Sequence, residues 1–206
     1  MATTVQKPEA PPDASEWPLV LRLRPAIDLT EDQFFKFCQL NRELRIERNA
    51  EGALLIMPPT GGGSGNRNAE ITRQLGNWAR QDGTGKTFDS STGFQLPNTA
   101  VRAPDAAWLP RERWEQLSPA EREKFVPLCP VFVIELRSPI DRLRDVHDTM
   151  REYIANGARL GWLLDPKPRR VYVYRPDARV ERLDNPQSIS GDPVLPSFVL
   201  NLREIW

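Results

Sequence analysis

VFVIELRSP, residues 131–139, sets four apolar residues, Val131 to Ile134, directly before a carboxylate, Glu135, with Arg137 two positions on. A short apolar run of this kind predicts a buried strand. An ionised carboxylate at the end of such a strand is costly unless a cation or hydrogen bonds receive it. Side chains alternate along a strand, so Glu135 and Arg137 are expected on one face and Leu136 on the other. What receives Glu135 decides the chemistry.

Outward from this strand the periodicity changes. DRLRDVHDTMREYIANG reads as a charged helix stopped by Gly157, and RLGWLLD, RVYVYR and ARVERLD read as three further strands, with PSFVLNLREIW closing the chain. Upstream, Thr30 with Gln33 forms a capping-box pattern for a helix in TEDQFFKFCQLN. ELRIER and ALLIMPP flank NAEG as a hairpin. A helix is expected from about Ser64 to Gln81, with Ile71, Leu75 and Trp78 on its core stripe. KTFDSSTGFQLP and VRAPDAAWLP read as strands broken by turns, and RERWEQLSPAEREKF as a helical excursion in which Ser118-Pro119 opens the second helix. A helix between two apolar strands indicates an α/β or α+β domain: one mixed central sheet flanked by helices. Residues 1–17, rich in Pro, Ala and acid, predict a disordered tail before a single domain over 18–206.

Composition limits the function classes. The 28 basic residues balance 28 acidic ones among 206, so no global field marks a nucleic-acid or membrane surface, although a local basic groove is compatible with neutrality. Cys38 and Cys129 sit in apolar settings and predict buried thiols of a reducing compartment, and a single His147 without a CxxC pair excludes a structural zinc site. TGGGSGNRN lacks the Lys of a phosphate loop. No segment approaches a membrane span or a signal peptide, which predicts a cytoplasmic protein.

Asp105 enters an otherwise apolar strand in VRAPDAAWL. If that strand neighbours the one ending at Glu135, two carboxylates meet at one sheet edge. Like charges so placed repel unless a cation lies between them, and oxygen ligands suit Mg²⁺ or Mn²⁺. The competing reading pairs Glu135 with an arginine. Glu70 reads equally as a surface residue of its helix, His147 as a helix-surface or partly buried histidine, Asp141 as a helix cap, Asp165-Pro166 as a strand-ending turn, and Tyr153 and Trp162 as core.

PD, an acid at a strand end some thirty residues on, and a basic residue two further resemble the PD-(D/E)xK nucleases. FDSSTGFQLP, VRAPDAAWL, VFVIELRSP, NGARLGWLLDP and LPSFVLNL more closely resemble the Uma-type putative restriction endonuclease family of bacteria, from about residue 25 to the C-terminus. The resemblance implies a restriction-endonuclease-like core with a divalent metal, Mg²⁺ or Mn²⁺, at a forked opening in the sheet. It assigns Asp105 and Glu135 as metal-binding acids, adds Glu70 as a further ligand or holder of water, and implies hydrolysis of DNA phosphodiesters, commonly by a homodimer. The chain departs from the pattern at the lysine. Arg137 stands at the E-x-K position, and Thr149 stands before the M-x-x-Y signature. Arg137 keeps a charge but cannot exchange a proton, so Arg137 and Arg142 are candidate phosphate contacts. The alternative is a weakened or inactive nuclease-fold protein that binds nucleic acid or a protein partner.

Overall fold

Capping and alternation place most elements of the fold. The computed structural model describes residues 17–206; the tail expected over 1–17 lies, apart from Trp17, outside the described residues. The strands are β1 (Leu19–Leu21), β2 (Arg45–Arg48), β3 (Leu54–Met57), β4 (Gly85–Asp89), β5 (Phe94–Gln95), β6 (Val101–Arg102), β7 (Ala106–Pro110), β8 (Phe132–Leu136), β9 (Leu160–Asp165), β10 (Arg170–Tyr174), β11 (Glu181–Asp184), β12 (Ser188–Ser190) and β13 (Val199–Asn201). The helices are α1 (Glu31–Leu40), α2 (Gly62–Asp82), α3 (Arg111–Glu115), α4 (Pro119–Arg122) and α5 (Leu143–Ala155).

Local chemistry explains the boundaries. Thr30 and Gln33 close the expected capping box at α1, and Ser118 with Glu121 close another at α4 behind Pro119. The β2–β3 hairpin turns through Asn49, whose side chain accepts from the Ala53 N–H at 2.7 Å, and Gly52, whose φ of 83° favours glycine.

The strands divide among three sheets instead of joining one. Five form the order β1-β3-β2-β6-β5, six form β11-β10-β9-β8-β7-β4, and β12-β13 make a ribbon. The six-stranded sheet is mixed, as expected: β8 and β9 run parallel, joined by α5, and its other pairs are antiparallel. Alternation sends Phe132, Ile134, Trp162 and Trp108 to one face, against Ile71 and Leu75 of α2 and Phe198 of the C-terminal segment. Ala107, Leu109, Val133 and Leu163 go to the other, against Met150 and Tyr153 of α5.

The packing is tight where β4 crosses β7. A Cβ on Gly85 would lie 2.3 Å from the Trp108 ring and 2.4 Å from the Leu109 carbonyl oxygen. Backbone cannot yield as a flexible side chain does, so Gly85→Ala is expected to cost about 1–3 kcal/mol in urea unfolding.

Candidate active site

Two acids arrive at one place through strand register. β7 pairs with β8 so that Ala106 faces Ile134, and one further step sets Asp105 across from Glu135. Asp105 shares its face with Ala107 and Leu109, and Glu135 with Val133, so both acids turn toward α5. Asp105 follows Pro104, which has no N–H for a ladder and lies between β6 of one sheet and β7 of the other. The sheets part here, and a cavity of about 890 Å³ opens beside both carboxylates.

The acids are held by neutral donors. Asp105 Oδ1 accepts from Asn68 Nδ2 at 2.7 Å, and Oδ2 from the Leu136 N–H at 2.8 Å. Glu135 Oε1 accepts from the Tyr153 hydroxyl at 3.0 Å. Among the described residues neither carboxylate forms an ion pair with an arginine. Burial raises the pKa of Asp105, offset by the charge of Arg45 and by the bonds from Leu136 and Asn68. Burial and then the neighbouring Asp105 and Glu47 push the Glu135 carboxyl well above its ordinary 4.5. Both carboxyls therefore resist ionisation.

Arginines surround the pair at one remove. Arg45 of β2 lines the cavity, its Nη2 donating to the Ala103 carbonyl at 2.8 Å. Burial works against its charge, but Glu47, Asp105 and Glu135 outweigh this and raise its pKa. Arg102 of β6 is spoken for: it reaches Glu152 of α5 at 2.6 Å and Glu47 of β2 at 3.2 Å. Glu47 also accepts from the Ala103 N–H, and Glu152 from Asn98 Nδ2. Sequence reading missed Arg45, Glu47, Asn68 and Arg102. None of the four stood out, because β2 reads RIER and β6 only VR, strands too short and too charged for alternation to mark an inward position.

The remaining expected residues are distributed unevenly. Arg142 and Thr149 line the cavity; Glu70 and Arg137 do not. Glu70 is gripped by Arg73 at 2.5 and 2.7 Å and by Gln74 at 2.8 Å. Arg137 lies on the expected face, but Asp165, only 3% exposed, holds its Nη1 at 3.1 and 3.3 Å. Asp165 is thus an ion-pair partner as well as a strand end. Thr149 donates its hydroxyl to the Asp145 carbonyl at 3.2 Å. Asp141 does not cap α5: it accepts from the Ser138 N–H, and the N-cap position is taken by Arg142, whose side chain does not cap the helix. Trp162 and Tyr153 are buried as expected, although Tyr153 also serves the site through its hydroxyl.

His147 is half-buried, bonded to the Tyr174 hydroxyl and edge-on to Tyr172. Burial, then Arg151, lowers its pKa from the ordinary 6.5. A lowered folded pKa gives stability that is present above pH 6.5 and lost as pH falls through the folded value. His147→Gln should therefore lose less melting temperature than the native chain between pH 7.5 and about 5.5 in thermal scans.

A divalent metal fits the donors at the fork. Asp105 and Glu135 supply hard oxygens, and Asn68, which lines the same cavity, has a buried Oδ1 with no hydrogen-bond partner. Among the described residues no cluster of three or more His, Cys, Asp or Glu could hold an ion. Two carboxylates suit Mg²⁺, which keeps several waters and takes substrate oxygens.

Acids at the fork of a mixed sheet, under a helix that joins parallel strands, define a restriction-endonuclease-like nuclease fold. Residues 31–203 match the Uma2 family, described as "Putative restriction endonuclease", and the chain belongs to that family. A crystal structure of a putative nuclease of the DUF820 group from Anabaena variabilis superposes with a TM-score of 0.69 at 19% identity, covering 86% of this chain and 97% of that one. No curated protein matches the chain. No helix among the described residues is long and apolar enough to cross a membrane.

Proposed function

We propose that the chain is a Mg²⁺- or Mn²⁺-dependent DNA endonuclease whose metal is held by Asp105 and Glu135. The carrying observation is the pair itself: a buried Asp105 and a half-buried Glu135 on one face at the fork, held by neutral donors and open to a cavity. Asn68 and the Leu136 N–H fix the rotamer of Asp105, and Tyr153 fixes Glu135, so the oxygens are placed before any ligand arrives. A bound divalent cation supplies an activated water and neutralises charge on the phosphate. Arg137, pinned by Asp165, stays outside this work, and Glu70 is left as a surface ion pair. The same reading has two copies act on the two strands of a duplex; a DNA complex sedimenting with a single copy would remove that part.

The test is relaxation of supercoiled plasmid in Mg²⁺ or Mn²⁺, with and without chelator. Cleavage should need the metal and vanish in Asp105→Ala; cleavage that survives in that variant removes the site. One observation favours a second reading, a weakened enzyme: Thr149 offers only a hydroxyl already bonded to backbone. In that case Thr149→Lys raises cleavage at least about tenfold.

A further inference from the structure

Arg45 lines the cavity next to the acid pair, yet among the described residues it forms an ion pair with neither acid. We propose that Arg45 is a catalytic residue of this site: its guanidinium grips the phosphate whose ester bond is cut. The inference rests on the endonuclease reading and adds the group that meets the substrate's charge.

Position comes first. β2 pairs with both β3 and β6, which makes the base of Arg45 rigid. The guanidinium is tied to the Ala103 carbonyl at 2.8 Å, two residues before Asp105, so it is anchored to the strand fork itself. Availability comes second. An arginine offers five N–H donors, and the buried Nε of Arg45 has no hydrogen-bond partner. A buried donor left unmade is expensive, and a turn of the guanidinium toward an incoming oxygen would satisfy it. Competition comes third. Arg102 is divided between Glu47 and Glu152, Arg67 donates its Nε to the Ile205 carbonyl, and Arg137 is held by Asp165. Among these, Arg45 alone has a buried donor without a partner.

The chemistry balances without a proton from Arg45. The oxygen of water attacks phosphorus, the phosphorus–oxygen ester bond breaks, and the water's protons pass to solvent and to the leaving oxygen. The guanidinium remains protonated throughout, and its hydrogen bonds strengthen as charge builds on the non-bridging oxygens. The buried acids nearby keep its charge in place when no substrate is bound.

Arg45→Met, Asp105→Ala and the native protein would be compared on a 12-base-pair duplex. Binding is followed by fluorescence anisotropy in Ca²⁺ across a salt series, cleavage by single-turnover rates in Mn²⁺, and folding by circular dichroism. Arg45→Met should flatten the salt slope by about 0.9, the loss of one phosphate contact. It should slow cleavage about a hundredfold to a thousandfold. Its affinity for Mn²⁺, read by electron paramagnetic resonance, should hold or rise, because a cation beside the acids is gone; a merely structural arginine would lower it. Added guanidinium should restore part of the rate to Arg45→Ala and none to Asp105→Ala, a rescue that remains informative if Arg45→Met does not fold. A folded Arg45→Met with native slope and rate overturns the inference alone, provided Asp105→Ala is inactive. A native protein that neither binds the duplex at low salt nor cuts it overturns both readings.

Discussion

Glu135→Gln is expected to slow DNA cleavage at least about a hundredfold, because on the endonuclease reading the exchange removes one of the two oxyanions proposed to hold the metal, and several kcal/mol of charge stabilisation with it. In the same variant the melting temperature without divalent metal should rise. Both effects come from one arrangement. Glu135 ends an apolar strand, faces Asp105 and Glu47, and receives only a tyrosine hydroxyl. Its raised carboxyl pKa means that the fold disfavours the ionised form, a cost carried at neutral pH and relieved as pH falls toward the unfolded value near 4.5. Glutamine carries no charge to bury, and its carbonyl oxygen still accepts from Tyr153. A folded variant that melts lower and cleaves as well as the native chain would show that the pair is structural.

Arg102→Leu should have the opposite profile, with a large loss of stability. Its side chain is 11% exposed and stands between Glu47 at 10% and Glu152 at 16%. Burial alone would depress its pKa, but the two carboxylates reverse that and raise it. Removing the shared cation leaves two buried negative charges facing each other. Breaking a buried pair in this way costs about 3–5 kcal/mol, readable in urea unfolding. Replacing all three residues by apolar ones of similar size should recover most of the loss, since desolvation then disappears with the charges. If the triple variant is as unstable as the single one, the network is valued for its geometry and not its charge balance.

The acid pair was legible because it rests on local signals. An apolar strand that ends in Glu, a second that begins after Pro-Asp, and alternation within each place Asp105 and Glu135 on one face once the strands are neighbours. The helix caps at Thr30 and Ser118 were legible for the same reason: each is settled within four residues. The division into separate sheets was not, because a period of two says which face a residue takes and nothing about which strand pairs with which. Arg45, Glu47 and Arg102 acquire their meaning from contacts more than fifty positions apart. Glu70 shows how narrow the margin is on a helix. Asn68, two positions earlier, is turned about 200° around the axis from it, so the amide meets Asp105 while the carboxylate meets Arg73.

The opening beside Pro104 is made by the path of the main chain as it leaves one ladder and joins another. The vacancy therefore precedes any particular chemistry. Asp105→Asn combined with Glu135→Gln should leave the cleft standing, with its arginines in place, as an inert receptor for polyanions. A lineage could lose its cutting function at two positions and keep its grip, and the reverse exchange would need only two changes.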